Sequence, residues 1–385
     1  MALKERSVVV VGGGVAGLAV ARALALRGAA VRVLEQAPVI SEVGAGLQVS
    51  PNGGRVLAAL GLTREFERRS TASGAVVLRD PDGRRVLRMP LEGRGRFALV
   101  HRADLIDVLE RGAREAGVSI EPGARVEAAT LGERRAELRL ADGGALRPEL
   151  VVGADGLHSR LRAELEGPAR PGFTGQVAWR ALIPCPEGVP AEAQVFMGPG
   201  RHLVAYPLRD GALLNLVAVE ERSEWAEEGW HHAGDPEAMR AAFVGFGGPV
   251  PDWLAAVERC RLWGLFRHPV AARWHAPGVA ILGDAAHPTL PFLAQGACMA
   301  LEDAWVLAAM LDGHESDAAA LEAYQRARRP RVRRIVDAAT ANARNYHLKG
   351  PAAALAHASL RVAGAVAPER VLSRFDWLYG HDVTA

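Results

Sequence analysis

Apolar residues near the start of the chain come in short blocks that predict two strands with a helix between them. Ser7–Val11 is rich in β-branched residues and predicts a buried strand, and the Ala- and Leu-rich stretch that follows, to about Arg27, predicts a helix. A second strand is predicted over residues 31–34 and ends at Glu35. Because strand, helix and strand follow one another closely, this segment predicts a βαβ unit of a parallel sheet.

The same alternation of strand and helix returns around residues 104–120, 150–165 and 279–311. In the last of these stretches, the apolar run 279–282 predicts a strand, and a long helical pattern extends from Gly296 to Leu311. These pieces are far apart along the chain, so we predict an α/β fold with a discontinuous, Rossmann-like domain built on a parallel sheet. The predicted limits of this domain are residues 1–72, 99–172 and 269–345.

Between these pieces the pattern changes to short runs that alternate apolar and polar residues, at 176–184, 193–197, 201–208 and 212–220. Asp210-Gly211, between the last two runs, is typical of a hairpin turn. We therefore predict a second domain with an antiparallel sheet, formed by residues 73–98 and 173–268. From Leu321 the pattern is helical and rich in arginine, and residues 346–385 are predicted to form a C-terminal helical tail.

A chain of 385 residues with 49% hydrophobic and 23% charged content is typical of a globular protein with two or three domains. The formal net charge is +2 and the positive residues are spread along the chain, so we expect no nucleic-acid partner. Cys185, Cys260 and Cys298 are too scattered for a disulfide framework, and His231-His232 has no partners at metal spacing, so we expect no metal. We recognise no secretory signal and no membrane span, and expect a cytoplasmic protein.

The first predicted strand leads directly into a glycine-rich turn. Gly12, Gly14 and Gly17 form the sequence G-x-G-x-x-G, which permits a tight turn, close approach of a pyrophosphate and close packing of the helix. Glu35 ends the next strand, where a carboxylate can accept hydrogen bonds from the hydroxyls of an unphosphorylated ribose. This pattern indicates a dinucleotide site, although NAD, NADP and FAD proteins share it and a purely structural turn is the alternative.

Two later motifs place a carboxylate just after a predicted strand. Asp155-Gly156 follows the apolar run 150–153, and Gly283-Asp284 follows the run 279–282. The helix that begins at Gly296 presents unpaired N–H groups and roughly half a positive charge to whatever lies before it. An electron-rich ring that gains negative charge would be stabilised there, which favours FAD as the dinucleotide.

The three motifs, in this order and spacing, resemble the single-component FAD-dependent aromatic hydroxylases of the para-hydroxybenzoate hydroxylase superfamily. Within it, the motifs at 283–288 (GDAAHP), 293–297 (LAQGA), 43–52 (VGAGLQVSPN) and 376–379 (DWLY) resemble the branch of salicylate hydroxylase, 3-hydroxybenzoate 6-hydroxylase and 6-hydroxynicotinate 3-monooxygenase. The resemblance spans nearly the whole chain. It implies a bound FAD and a β-sheet domain that holds the substrate.

The resemblance also implies which residues bind FAD. Arg102 would reach the pyrophosphate or a nearby ribose, and Asp284 would bind the ribityl hydroxyls. Each of these residues has a purely structural alternative. Arg102 could be a surface arginine, Asp284 a cap or turn residue, and Asp155 a cap of the following helix. The implied cofactor-binding residues are Gly12, Gly14, Ala16, Gly17, Glu35, Gln48, Arg102, Val126, Asp155, Asp284, Gly296 and Ala297.

The substrate side of the site is predicted on the run Arg201–Leu208. In a strand, His202, Val204 and Tyr206 share one face, and roughly 13 Å separates the first from the last. His202 and Tyr206 resemble the histidine and tyrosine that contact substrate in this branch. A neutral imidazole near its reference pKa could remove a phenolic proton; a strand histidine without a catalytic role is the alternative.

Five further residues are candidates for the same region. Gln48 and Gln295 lie in loops that the family folds against the reactive side of the flavin, and Gln295 is our third catalytic candidate; either could instead satisfy local backbone groups. We interpret His287 as a packing residue beside the flavin. The predicted walls of the pocket are Arg180 and Phe292, whereas Trp179 is better interpreted as core.

Together these features imply an FAD-dependent monooxygenase that uses NADH or NADPH and dioxygen to hydroxylate a small phenolic or hydroxylated heteroaromatic acid through a flavin hydroperoxide. With one dinucleotide fingerprint, the nicotinamide nucleotide is expected to visit only transiently. We expect a monomer or homodimer without a membrane partner. The alternatives are a tailoring oxygenase, epoxidase or oxidase for a larger natural product, a pyridine-nucleotide dehydrogenase, or a non-catalytic binding protein.

Overall fold

The computed structural model describes residues 3–40, 45–223 and 233–385. Val43 and Gly44 of the early motif, and the pair His231-His232, therefore lie outside the described residues. The strands in the described part are, in chain order, β1 Ser7–Val11, β2 Ala30–Glu35, β3 Gly46–Val49, β4 Ser70–Ala72, β5 Ala75–Arg79, β6 Arg85–Pro90, β7 Ala98–His101, β8 Ser119–Pro122, β9 Val126–Leu131, β10 Ala136–Leu140, β11 Ala145–Leu146, β12 Leu150–Gly153, β13 Gly172–Pro184, β14 Ala193–Gly198, β15 Arg201–Leu208, β16 Leu213–Glu221, β17 Ala233–Gly234, β18 Cys260–Arg267, β19 His275–Ala276 and β20 Val279–Ile281.

Helices surround and connect these strands. They are α1 Val15–Ala25, α2 Pro51–Ala59, α3 Thr63–Arg68, α4 Arg102–Glu115, α5 Arg160–Glu166, α6 Pro236–Ala242, α7 Val250–Ala255, α8 Gly296–Gly313, α9 Asp317–Tyr346, α10 Gly350–Val366, α11 Pro368–Ser373 and α12 Asp376–Tyr379. Two single turns of 3-10 helix, Gly283–Ala285 and Pro291–Leu293, lie between β20 and α8.

A parallel sheet gathers strands from distant parts of the chain, in the order β19-β20-β12-β1-β2-β8. Five of these strands run parallel, and β19 pairs with β20 in the antiparallel sense at one edge. The valines of β1 are buried on both faces of the sheet because helices such as α1, which packs against α4 and α8, cover it. The predicted α/β fold class is confirmed.

An eight-stranded sheet has the order β17-β18-β13-β16-β15-β14-β5-β6. Its neighbouring strands are antiparallel except for β14 and β5. The predicted hairpin is confirmed: β15 and β16 pair up to Leu208 and Leu213, and Asp210 and Gly211 in the turn have φ of 53° and 84°. The two large sheets draw on interleaved stretches of chain, while the exact domain limits remain a prediction.

Two small sheets, β3-β7-β4 and β11-β10-β9, are also present, and of these the sequence indicated only the hairpin between β10 and β11, through its turn residues Asp142-Gly143. Their strands have two to six residues, which is too short for a clear period along the sequence. The first of them lies against the eight-stranded sheet, because the backbone N–H of Gly46 in β3 donates to Oδ1 of Asn215 in β16 (2.7 Å).

The C-terminal region is helical and wraps the remainder of the chain. Helix α9 extends over 30 residues, α10 and α11 pack on the edge strand β6, and α12 packs on α2. None of the helices in residues 3–40, 45–223 and 233–385 is long and apolar enough to cross a membrane.

Candidate active site

The glycine-rich turn between β1 and α1 leaves room in front of the helix. A Cβ atom on Gly12, whose φ is +107°, would overlap the carbonyl oxygen of Ala154, and one on Gly17 would overlap that of Gly12. At Gly14, by contrast, a Cβ would meet no atom within 4 Å. The first turn of α1 therefore faces open space without a side-chain cap, as required for a pyrophosphate at a helix N-terminus.

Glu35 lies at the end of β2 and holds this turn in place. Its Oε2 accepts a hydrogen bond from the N–H of Gly13 (2.6 Å), and its Oε1 accepts one from the N–H of Ala37 (2.8 Å). The carboxylate is thus fixed beside the glycine-rich turn, at the position predicted for a ribose contact.

The turn after β20 lies beside the glycine-rich turn, because a Cβ atom on Gly283 would overlap that of Ala16 in α1. We call the space in front of these two turns the cleft. Arg102 begins α4, and Asp284 lies in the turn after β20. The side chain of Asp284 is exposed to solvent, yet desolvation raises the pKa of this carboxyl, an effect that His287 and Arg102 partly offset. Solvent access combined with desolvation is expected of a carboxylate that lines a cleft rather than the outer surface.

Three of the predicted cofactor residues have local structural roles. Asp155 caps α5, because its Oδ2 accepts a hydrogen bond from the N–H of Arg160 (2.7 Å). Val126 begins β9 and is buried. Gln48 belongs to strand β3, so the prediction of a loop there was wrong. Contacts of these three residues with FAD remain predictions.

Helix α8 begins at Gly296 without a side-chain cap, so the N–H groups of its first turn face the cleft with the positive end of the helix dipole. The preceding residue, Gln295, is buried and turned inward: its Nε2 donates to Oγ of Ser50 (2.9 Å) and its Oε1 accepts from Nδ2 of Asn52 (3.1 Å). These two bonds join Gln295 to side chains at the start of α2 rather than to local backbone groups, and its catalytic role remains a prediction.

A sealed ion network lies behind the start of α8. Fully buried Arg328 donates to Oδ1 of Asp303 (2.7 Å) and pairs with Oε2 of Glu302 (2.7 Å). His287 contacts the other oxygen of Asp303, and its ring packs on Trp274. Burial alone would raise the pKa of Asp303, but His287 and Arg328 hold it below its ordinary value. We call Glu302, Asp303, Arg328 and His287 the sealed network.

The register of the eight-stranded sheet determines which side chains share a face. Directly opposed residues of antiparallel neighbours point the same way, so His202, Val204 and Tyr206 of β15 share a face with their partners on β16 and β13. This patch, which we call the inner face, comprises the rows His202–Val219–Ala178, Val204–Val217–Arg180 and Tyr206–Asn215–Leu182. It measures about 13 by 10 Å, enough for one substituted aromatic ring.

The inner face is covered at both ends and open in the middle. Phe292, from the turn before α8, packs on the first row, and Gly46 of β3 contacts the third. Val204 and Arg180 in the middle row are only half-buried.

His202 differs from its prediction in one respect. It is buried (2% exposed), and Nδ1 of its ring lies 2.7 Å from Nε2 of His347. Burial, and secondly His347, lowers the pKa of His202 well below its usual value. The expectation of a near-reference pKa was therefore wrong, although the ring is neutral as predicted.

Arg180 and Tyr206 provide the polar chemistry of the other two rows. The guanidinium of Arg180 lies over the ring of Trp263 (4.6 Å), and its Nε has no hydrogen-bond partner among the described residues. Burial lowers the pKa of Arg180 to about 10, so the group remains cationic at neutral pH. Burial raises the pKa of Tyr206, so its hydroxyl is neutral and able to donate a hydrogen bond.

The remaining candidates fall on the expected sides of the sheet. Trp179 is fully buried on the opposite face, where it packs edge-on against Phe243, which confirms it as core. Phe292 and Arg180 border the inner face as predicted. Among the described residues, no three histidine, cysteine or acidic side chains are placed so that they could hold one metal ion.

The structure adds His347 and Glu221, which sequence reasoning missed. His347 follows α9, and its Nδ1 lies 3.0 Å from Oε1 of Glu221. The two histidines are 145 positions apart in sequence, so no local pattern relates them.

Comparisons with known proteins bear directly on this cleft. The family model described as "FAD binding domain" matches residues 5–339. The chain belongs to this FAD-binding family. The 3-amino-4-hydroxybenzoate 2-monooxygenase of Streptomyces platensis is 37% identical over 97% of this chain and 96% of its own. The 3-hydroxybenzoate 6-hydroxylase of Polaromonas naphthalenivorans is 34% identical over 98% of this chain and 96% of its own.

A solved structure agrees with these relatives. Klebsiella pneumoniae HpxO, crystallised with FAD and uric acid, superposes with a TM-score of 0.84 and 27% identity over 97% of this chain and 96% of that one. The protein is accordingly an FAD-dependent monooxygenase of the aromatic hydroxylase type, with FAD as bound cofactor, NAD(P)H as reductant and a small aromatic compound as substrate.

Proposed function

We propose that this monooxygenase hydroxylates a small hydroxylated aromatic acid of the hydroxybenzoate type. The observation that carries the proposal is the inner face, where a neutral imidazole, a neutral phenol and an arginine lie on three rows of one small patch. Such a patch can take a ring that has a hydroxyl on one side and a carboxylate on the other. The names of the two relatives, both of which act on hydroxybenzoates, support this choice.

We assign the FAD contacts to the cleft between the two large sheets. The open turn at Gly12, Gly14, Ala16 and Gly17 suits the pyrophosphate, Glu35 suits the ribose, and Asp284 and Arg102 suit the ribityl and phosphate groups. Gln48, Val126 and Asp155 complete the set. When bound there, FAD would take electrons from NAD(P)H and activate dioxygen.

The protein's own residues would orient the substrate. Arg180 is suited to the carboxylate, because a cation with an unpartnered Nε in a desolvated site forms strong, charge-assisted hydrogen bonds. His202 would accept the proton of the substrate hydroxyl, since loss of that proton makes the ring electron-rich. Tyr206, about 13 Å from His202 along the strand, would donate a hydrogen bond to a substrate oxygen at the other end of the inner face.

Two features of the surroundings support the same chemistry. The uncapped N-terminus of α8, at Gly296 and Ala297, would stabilise negative charge at the cofactor. Phe292 covers the inner face with an apolar ring and would keep water away from the reacting groups. Gln295 acts here as a positioning residue, because its hydrogen bonds to Ser50 and Asn52 fix the start of α8.

The setting of the enzyme completes the proposal. We expect a cytoplasmic monomer or homodimer without a nucleic-acid or membrane partner. The three free cysteines fit a reducing compartment.

A panel of compounds tests the proposal. Purified holoenzyme is given NADH or NADPH with hydroxybenzoates, hydroxynicotinates, benzoates without a hydroxyl and larger phenols, and both NAD(P)H oxidation and oxygenated product are measured. We expect product only from the small hydroxylated acids. Product from large phenols alone, or NAD(P)H oxidation without product for every compound, would overturn the assignment.

A further inference from the structure

A chain of polar groups connects the inner face to the protein surface. Nδ1 of His202 lies 2.7 Å from Nε2 of His347, and Nδ1 of His347 lies 3.0 Å from Oε1 of Glu221. The side chain of His347 is 2% exposed, whereas that of Glu221 is 45% exposed. The chain therefore begins in the site and ends in water.

The carboxylate of Glu221 determines the protonation pattern of both rings. A carboxylate only accepts, so Nδ1 of His347 must carry a proton. In neutral His347, Nε2 is then bare and accepts, so Nδ1 of His202 must donate. Neutral His202 is left with a bare Nε2, which is the form that a general base requires.

We infer that His347 and Glu221 form a proton path from His202 to solvent, and that Glu221 sets the tautomers of both histidines. This inference rests on the proposed function, since the proton comes from the substrate hydroxyl. The substrate O–H bond breaks and its proton adds to Nε2 of His202. The Nδ1 proton of His202 passes to Nε2 of His347, and the Nδ1 proton of His347 passes to Glu221 and then to water. No electrons are exchanged, and the reverse transfer restores the starting tautomers.

The buried position of His202 explains why such a path is needed. Burial and the neighbouring His347 lower the pKa of His202, so its protonated form is unstable and must pass the proton on. Burial also lowers the pKa of His347, while the hydrogen bond to Glu221 opposes this effect. The other groups around the path are Tyr346 and Phe292, whose rings lie beside that of His202, and Lys349, whose Nζ is 3.5 Å from Oε2 of Glu221.

A first experiment reads the tautomers without turnover. Holoenzyme labelled with ¹⁵N-histidine is studied by long-range ¹H–¹⁵N correlation at neutral pH, and the signals are assigned with the His202→Asn and His347→Leu variants. We expect both histidines to be neutral with the proton on Nδ1. A proton on Nε2 of His202 would overturn the inference.

A second experiment follows the proton itself. Oxidised holoenzyme is mixed with 3-hydroxybenzoate in weak buffer that contains a pH indicator, and proton release is recorded by stopped flow. We expect His347→Leu and Glu221→Gln to slow proton release by about tenfold or more. The affinity for 3-methoxybenzoate, an analogue that lacks the ionisable hydroxyl, should not change.

Glu220→Gln is the matched control. Glu220 is adjacent to Glu221 but points to the other face of β16, where it pairs with Arg222, so its loss should not slow proton release. His347→Leu changes a buried side chain and could misfold. Glu221→Gln changes a half-exposed side chain and therefore tests the same path without that risk. If the wild type hydroxylates panel compounds but proton release is unchanged in both His347→Leu and Glu221→Gln, the proton path is overturned and the proposed function stands. A wild-type enzyme that forms no product with the whole panel would overturn the proposed function, and the tautomers would still be decided by the first experiment.

Discussion

Two histidine–carboxylate pairs lie in opposite surroundings. His287 contacts Asp303 in the sealed network, where both side chains are at most 1% exposed and Arg328 compensates the charge. His347 contacts Glu221 at the end of β16, where the carboxylate is half-exposed and Lys349 is the nearby cation. The same two chemical groups thus lack access to water in the first pair and have it in the second.

The difference separates a structural pair from one suited to proton transfer. A proton that leaves His287 has no route to solvent through Asp303, because Arg328 and the protein surround that carboxylate. The sealed network therefore holds α8 against α9 and fixes the helix start that faces the cofactor. The exposed end of the other pair lets a proton leave the site.

The largest effect is expected from Arg328→Met. This change leaves buried Asp303 without an arginine partner and Glu302 with Arg331 alone, and should lower the free energy of unfolding by about 3–5 kcal/mol. Denaturant unfolding measures it, and Arg333→Met, an exposed change in the same helix, should cost less than about 0.5 kcal/mol. Equal stabilities of the two variants would show that the sealed network is not structural.

On the side of the second pair, His202, which contacts His347, is the residue to change. His202→Asn should lower the rate of product formation by about a hundredfold, because the reaction loses its general base. FAD content, read from flavin absorbance, should not change. His275→Asn is the control, since His275 also lies beside a glutamate, Glu322, but on β19 away from the inner face. Unaltered turnover and pH profile in His202→Asn would refute the base assignment.

A smaller effect is expected from Arg180→Gln. Loss of the charge-assisted hydrogen bond to a carboxylate should raise KM for the best hydroxybenzoate by about tenfold or more, with kcat less affected. The KM of the corresponding hydroxybenzamide should stay the same in wild type and variant. Arg222→Gln, which removes an arginine from the opposite face of the sheet, should leave both values unaltered. Parallel losses for acid and amide would argue against a carboxylate contact.

The smallest effect concerns pH. His202 has a folded-state pKa below its ordinary 6.5, so the unfolded chain binds the proton more readily and stability falls as the pH drops below about 6.5. The slope is at most about 1.4 kcal/mol per pH unit for this histidine. The pKa values of Glu302 and Asp303 are also lowered, so these carboxylates cause a further loss of stability only below about pH 4.5 and pH 3.8. The free energy of unfolding, measured from about pH 7 down to pH 4, should fall less below pH 6.5 in His202→Asn than in the wild type. The same pH dependence in both proteins would contradict a buried neutral ring at His202.

The cofactor side of the site was largely readable from sequence, because its parts are local. The turn at Gly12–Gly17 and Glu35, and the helix start at Gly296, each require a strand, a turn and a helix that follow one another directly. The backbone conformation of such a segment is fixed by its own glycines and apolar period. The prediction of a loop at Gln48 was wrong, because the residue belongs to strand β3, and the catalytic role of Gln295 remains a prediction.

The sequence by itself therefore determined the α/β fold class, most strands of the parallel sheet, strands β13 to β16 of the eight-stranded sheet, the FAD-binding character and the placement of His202 and Tyr206 on one face of β15. Only the tertiary structure brought Arg180 onto that face, paired His202 with His347 and Glu221, and sealed Arg328 between two carboxylates. The physical reason is that these contacts join β13, β15 and β16 to the end of α9, or α8 to α9, and burial and pKa arise from the sum of such distant neighbours rather than from any local pattern.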